Sequence, residues 1–165
     1  MNCIIDSADT LEVSDQELSD LLCRVYVDGG FSTAEEAASL FKPSAVRSRG
    51  KLICARDMQE KKLAGMVILV PPGSPSRRFA NSNESEMHLL GVMPEFRGGG
   101  LGRKLVTAAV NTAIQDGYTK MLLATQSTMN VAHRLYQLSG FVRAFEHDFS
   151  RAGRKFLVYE KLLRE

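Results

Sequence analysis

Four glycines stand in five positions at Gly98-Gly99-Gly100-Leu101-Gly102, and this run constrains the chain more than any other feature. Before it, Glu86 to Val92 reads as a strand. After it, Leu101, Leu105, Val106, Ala109, Val110 and Ala113 fall on one helical stripe, which ends near Asp116 with Gly117 as its cap. Lys120 to Thr125 is then a short apolar strand, so residues 86–125 form one strand–helix–strand crossover. So many glycines cost conformational entropy on ordering, so something must need that backbone. A loop of this kind at a helix start exposes several N–H groups and the positive end of the helix dipole. The fitting ligand is a phosphate or pyrophosphate, with Arg97 and Arg103 bracketing the loop. Two familiar phosphate binders are excluded. A dinucleotide fingerprint would need a third glycine where Arg103 stands, and no Gly-Lys-Ser/Thr of a P-loop occurs.

The rest of the chain supplies the frame. Ser14 and Glu17 form a capping box, followed by Leu18, Leu21, Leu22, Val25 and Tyr26 at helical spacing, and Asp28-Gly29-Gly30 ends that helix. Thr33 and Glu36 form a second box, with Pro43 expected to mark the end of its helix. Lys51 to Arg56 and Leu63 to Val70 read as a hairpin. The Pro/Ser/Asn-rich stretch 71–85 is long for a connection and is therefore functional or mobile. Asn130 to Ser139 is a helix closed by Gly140, and Phe141 to Phe149 with Lys155 to Leu162 read as a closing hairpin. This order describes one domain over residues 1–165 of the α+β class. Its sheet is mixed and mostly antiparallel, with helices on both faces.

Charge and composition remove several function classes. The net charge is +2, which gives no basic footprint for nucleic acid. The longest apolar run, Leu63 to Val70, falls far short of a membrane span, and the first residues lack a secretory pattern. Cys3, Cys23 and Cys54 are odd in number and lack metal-ligand spacing, so no metal is expected, and they read as buried thiols of a reducing cytoplasm.

The segment Val92-x-Pro94-x-x-Arg97-Gly98-x-Gly100-Leu101-Gly102 resembles the acetyl-CoA motif of the GCN5-related N-acetyltransferases (GNAT). A second signature of that family resembles Ala132-x-x-Leu135-Tyr136-x-x-x-Gly140-Phe141. The two occur in the family's order, and the close match covers residues 85–141. The resemblance implies a GNAT-like acyl-CoA N-acyltransferase fold, acetyl-CoA as cosubstrate and transfer of its acetyl group to an amine. It also implies that Leu90, Val92, Arg97, Gly98, Gly99, Gly100, Leu101, Gly102, Arg103 and Tyr136 hold the cofactor. Many members carry an asparagine seven residues before the tyrosine, against the pantetheine arm. Here that position is Met129, and Asn130 lies one step, about 100°, further round the helix. A homodimer is compatible with the family.

Acetyl transfer to an amine needs a base, because an alkylammonium has no lone pair. It also needs donors for an oxyanion and a proton for the departing thiolate. By resemblance Tyr136 is the general acid, and a backbone amide near Val92 serves the oxyanion. Strand alternation puts Glu86, His88, Leu90 and Val92 on one face, with two titratable groups side by side. Glu86 is the first candidate base and His88 the second, each matching a position where family members keep one; Glu84 is a weaker third. His133 reads as an exposed helix residue. The acceptor pocket is expected from residues 26–31, 41–51 and 145–153. A basic cluster of Lys42, Arg47, Arg49 and Lys51, with Arg77 and Arg78, could attract an acidic acceptor or the adenosine phosphate but reads mainly as solvated surface. A non-catalytic acetyl-CoA sensor is the competing reading, and retention of Tyr136 and the Glu86/His88 pair argues against it.

Overall fold

The computed structural model describes residues 1–163. The elements are β1 (Cys3–Ser7), α1 (Asp15–Leu22) continued by a π-helical turn (Cys23–Val27), α2 (Ala34–Leu40), α3 (Pro43–Ser48), β2 (Lys51–Asp57), β3 (Lys62–Val70) and β4 (Glu84–Val92). After a 3₁₀ turn at Pro94–Phe96 come α4 (Leu101–Gln115), β5 (Lys120–Gln126), α5 (Asn130–Leu138) and β6 (Val142–Arg143). A second 3₁₀ turn, Phe145–His147, precedes β7 (Phe149–Arg151) and β8 (Arg154–Leu162). The strands form one sheet in the order β1-β2-β3-β4-β5-β8-β6, with β7 also on β8. Only β4 and β5 run parallel, as the α4 crossover requires; the other pairs are antiparallel.

Helices cover both faces. On one face Leu101, Leu105, Val106, Ala109 and Ala113 of α4 pack on Ala64, Val67 and Leu69 of β3 and on Met121 and Leu123 of β5. On the other, Leu18, Leu21 and Leu22 of α1 pack on Met66, Ile68 and Val70 of β3. β3 therefore buries both faces and reads as an unbroken apolar run. Both capping boxes are formed, with Ser14 and Thr33 each accepting from the amide three residues on.

Four expectations are corrected. The capping box at Ser14 predicts a helix as the first element, but β1 precedes it; β1 is an edge strand whose residues are half-buried or exposed, so its apolar signal is faint. Pro43 does follow the end of α2 but also begins an unexpected helix, α3, because proline's fixed φ and missing N–H suit a helix's first turn. The expected strand at 141–149 is broken by the 3₁₀ turn at Phe145–His147 into β6 and β7. The thiols are not uniformly buried: Cys54 is, Cys3 is half-buried and Cys23 is exposed.

The correction that shapes the site lies in β4. Leu89 sits at φ +50°, and the pairing with β3 slips between His88 and Gly91. This bulge inserts one residue and reverses the alternation beyond it. Leu90 and Val92 consequently join Met87 in the α4-side core, while Leu89 turns to the α1 side. Glu86 and His88 do not share a face with Leu90 and Val92.

Candidate active site

The bulge also parts β4 from β5. Their parallel pairing spans only Glu84–Met87 against Lys120–Leu123, although β4 continues to Val92 and β5 to Gln126. Past Met87 the two strands splay, and a cleft of about 730 Å³ opens between them. Tyr26 ties the splayed edge to the α1 side, its hydroxyl donating to the Leu90 carbonyl at 2.9 Å.

At one mouth of the cleft lies the glycine loop. Gly98 and Gly100 stand at φ +87° and +80°, in the left-handed region that penalises any side chain. A Cβ built on either would meet no protein atom, so both α-carbons face open space. Arg97 shapes the loop by donating its Nε–H to the Val92 carbonyl at 3.0 Å. The first intrahelical bond here runs from Lys104 N–H to Gly100 O, so the amides of Leu101, Gly102 and Arg103 have no intrahelical acceptor. These unengaged amides at the positive end of a fifteen-residue helix suit a pyrophosphate. Leu90, Val92, Arg97, Gly98, Gly100, Leu101, Gly102 and Arg103 all line the cleft. Gly99 does not; its α-carbon is turned against the Met1 side chain. Asn130 is exposed at the start of α5 and also lines the cleft. Met129 beside it receives the Thr125 hydroxyl at 3.5 Å on its sulfur.

Deeper in the same cleft the Glu86/His88 pair is built in unequal roles. Glu86 is 1% exposed. Its Oε2 accepts three backbone N–H groups, from Arg78 at 2.8 Å, Phe79 at 2.6 Å and Ala80 at 2.8 Å. Its Oε1 lies 2.9 Å from His88 Nε2. Burial alone would raise the Glu86 pKa. The bonds from His88 and from the three amides outweigh it and hold the group below the usual carboxylate range. Glu86 is therefore an ionised anchor. It fixes the 71–83 loop, which is thus ordered at its inner end, and it fixes His88.

His88 is half-buried, and the bonding partners define its tautomer. The Glu86 carboxylate can only accept, so Nε2 carries the proton. The guanidinium of Arg49 can only donate, and its Nη1 lies 3.4 Å from Nδ1. Nδ1 thus holds a lone pair directed to the Arg49 side. Burial lowers the pKa of His88, and Glu86 opposes but does not reverse that shift. The imidazole is neutral at pH 7.

Tyr136 of α5 is buried, lines the cleft, and packs its ring 6.0 Å from Phe141 and 6.1 Å from Tyr159. Burial pushes its pKa above the ordinary tyrosine value, so it stays protonated throughout the neutral range. The structure thus brings Glu86, His88, Tyr136 and the glycine loop to one cleft. His133, expected to be exposed, is half-buried and bonds the Gln126 carbonyl at 2.8 Å. The basic cluster disperses: Arg47 pairs with Asp15 and Lys51 with Asp116, while Arg49 alone of the four lines the cleft. Glu84 faces Lys120 and the Asn81 amide.

Tyr26 and Arg49 fall in segments expected to shape the acceptor pocket and do line the cleft, but their contacts with Leu90 and His88 were not legible. Neither sits in a motif, and each reaches the cleft only through tertiary packing.

Comparison with known proteins agrees with this geometry. The acetyltransferase (GNAT) family profile matches residues 16–141. The chain belongs to the GNAT acetyltransferase family. The mycothiol acetyltransferase of Kocuria rhizophila is 31% identical over 109 residues, which is 66% of this chain and 33% of that protein. The mycothiol acetyltransferase of Corynebacterium aurimucosum is 32% identical over 62 residues, 38% of this chain and 20% of that protein. The chain thus spans a third or less of the length of these curated relatives. Among solved structures, a GNAT acetyltransferase from Staphylococcus aureus superposes with a TM-score of 0.77 at 16% identity, covering 98% of this chain and 99% of that one. A Bacillus subtilis acetyltransferase solved in complex with CoA gives 0.68 at 19% identity, covering 99% and 100%. These GNAT neighbours share the open mixed sheet and its flanking helices. No described helix is long and apolar enough to cross a membrane, and no cluster of three metal-ligating side chains occurs among the described residues.

Proposed function

We propose that this GNAT domain transfers an acetyl group from acetyl-CoA to a primary amine within the cleft between β4 and β5. One observation carries the reading: a single cleft holds a row of unengaged amides at its mouth and a neutral, oriented histidine with a protonated tyrosine further in. The amides from Gly98 to Arg103 hold the pyrophosphate, and the apolar walls of Leu90, Val92 and Leu135 receive the pantetheine arm. Acetyl-CoA supplies the acetyl group on a thioester.

His88 Nδ1 takes one proton from the incoming ammonium, directly or through one water, and releases it to solvent; the second proton, lost as the amide forms, replaces the one that Tyr136 donates. Glu86 acts as a positioning residue, holding the tautomer and stabilising the imidazolium that forms. The order of the two candidate bases is thereby reversed from the sequence expectation, because the Glu86 carboxylate is occupied by four hydrogen bonds. As the new N–C bond forms and the C–S bond breaks, Tyr136 gives its proton to the departing thiolate. Backbone N–H groups of β4 past Met87, where the strand no longer pairs with β5, would serve the oxyanion.

A thermal melt with acetyl-CoA, CoA, NAD and ATP in parallel tests the cofactor. At 100 times its dissociation constant a ligand stabilises by about 2.7 kcal/mol, or roughly 5–10 °C for a domain of this size. The two CoA forms alone are expected to raise the midpoint. A shift with NAD or ATP and none with CoA would remove the proposal. Binding of CoA with no thiol release on any amine would favour the sensor reading.

A further inference from the structure

The inner end of the cleft carries an electrostatic pattern that the acetyl donor does not explain. Three guanidiniums line it from three separate segments: Arg49 after α3, Arg78 in the 71–83 loop and Arg151 at the β7–β8 turn. None has a carboxylate within ion-pair distance among the described residues. The carboxylates nearby are already engaged. Glu36 binds Arg154 at 2.6 Å, and Glu86 is taken by three amides and His88. Arg78 and Arg151 lie over the faces of Phe149 and Phe156, at 5.4 and 5.3 Å, which holds them without neutralising them. Arg49 is fixed by the Leu40 carbonyl at 3.2 Å and stands 3.4 Å from His88 Nδ1.

Burial lowers the pKa of both Arg49 and Arg78, and the charge of Arg151 adds to that effect on each. Their charges are felt by one another across the cleft. The glycine loop, with Arg97 and Arg103, lies at the other mouth, so these three are not needed for the pyrophosphate.

We infer that the acceptor is a free amino acid, an amine whose carboxylate docks on the Arg49–Arg78–Arg151 cluster. A guanidinium presents a planar fork that matches a carboxylate bidentately. The adjacency of Arg49 and His88 suits that pairing: a carboxylate that takes up Arg49 Nη1 releases the Nδ1 lone pair, and an amine on the neighbouring carbon then lies beside it. Phe31, Phe79 and Phe156 line the same end and suit an apolar or aromatic side chain. The same positive field repels polyamines and other polycations, which a negatively charged acceptor pocket would favour.

The inference rests on the proposed acetyl transfer, and its test separates the two. Thiol release from acetyl-CoA is followed with L-phenylalanine, L-leucine, phenylalaninamide, phenethylamine, O-phosphoethanolamine and spermidine. In parallel, thermal melts are run with CoA alone and with CoA plus each amine. An amino acid is expected to be acetylated, and to raise the midpoint above that with CoA alone. Its amide and decarboxylated analogue lose about 10–150-fold in kcat/KM, the range for a hydrogen-bonded charged group. Arg49→Lys and, separately, Arg78→Gln raise KM for the amino acid while the midpoint shift with CoA stays. Phenethylamine or spermidine used as well as phenylalanine overturns the inference and leaves acetyl transfer standing. O-phosphoethanolamine preferred to every amino acid overturns the carboxylate assignment. Failure of CoA itself to shift the midpoint sinks the underlying function instead.

Discussion

Replacing Glu86 by glutamine isolates what the buried carboxylate does. The three amides of residues 78–80 all point at Oε2, and they can pair only with an oxygen. In Glu86→Gln the amide oxygen must therefore take that side, and the NH₂ must face His88 Nε2. Two donors cannot face each other, so the imidazole loses the Nε2 partner that orients it and stabilises the imidazolium, while Arg49 still donates toward Nδ1. General-base catalysis contributes about 10²–10⁴-fold, and kcat should fall by that order. Stability falls less. Charge-assisted bonds exceed neutral ones by about 1 kcal/mol each, so three would cost about 3 kcal/mol, offset in part because glutamine carries no charge into the core. A net loss of about 2 kcal/mol lowers Tm by about 4–8 °C. The pH profile adds a sign. Glu86 supports a higher His88 pKa, so the acid limb of residual activity should move to lower pH. The assay is thiol release from pH 4.5 to 9 alongside a melt. A variant with the lowered Tm and an undiminished kcat would refute the reasoning, leaving Glu86 as a loop anchor with no part in orienting His88.

Wild-type kcat/KM should show an acid limb below 6.5, because burial lowers the His88 pKa and the neutral form is the active one; His88→Gln should abolish that limb, and a limb that survives assigns it elsewhere. Tyr136→Phe should leave CoA affinity within about twofold and lower kcat by about 10²-fold or more, as for a group that acts in the transition state. Single-turnover kinetics checks this, and equal losses in binding and turnover would make Tyr136 a packing residue. Gly100→Val should abolish the CoA-dependent rise in Tm, since φ +80° penalises a β-branched residue and its side chain would enter the loop mouth. Acid should destabilise the fold in two steps. His88 favours its neutral form in the folded state, so its contribution is complete above 6.5 and is lost as pH falls through its lowered pKa. Glu86 contributes fully above 4.5 and loses its contribution as pH falls through its own lowered pKa. Melts from pH 7 to 3 would show a flat Tm if neither group were coupled to folding.

The sequence made the crossover and its loop legible because their signals are local. Glycines at 98–102, the α4 stripe and the flanking strands each follow from backbone geometry or from helical and strand periodicity. Both capping boxes were readable for the same reason. The bulge at Leu89 was not. Nothing in His-Leu-Leu-Gly marks a positive φ, and the irregularity shows only in the pairing with Met66 and Ile68. Strict alternation therefore placed Leu90 and Val92 beside His88, when they stand on the opposite face. The unequal roles of Glu86 and His88 were equally hidden, since they depend on three amides brought back by a loop whose composition suggests only irregular chain. Arg49 looked like one of four surface cations; its burial beside His88 is a tertiary fact.

The most direct test of the account is a crystal structure of this chain with CoA. The pyrophosphate is expected within hydrogen-bond distance of the amides of Gly98 to Arg103. The pantetheine should lie between β4 and β5 past Met87, and the sulfur should point to the Tyr136 hydroxyl. CoA bound with its pyrophosphate away from that loop, or with its thiol outside the cleft that holds His88 and Tyr136, would contradict the account.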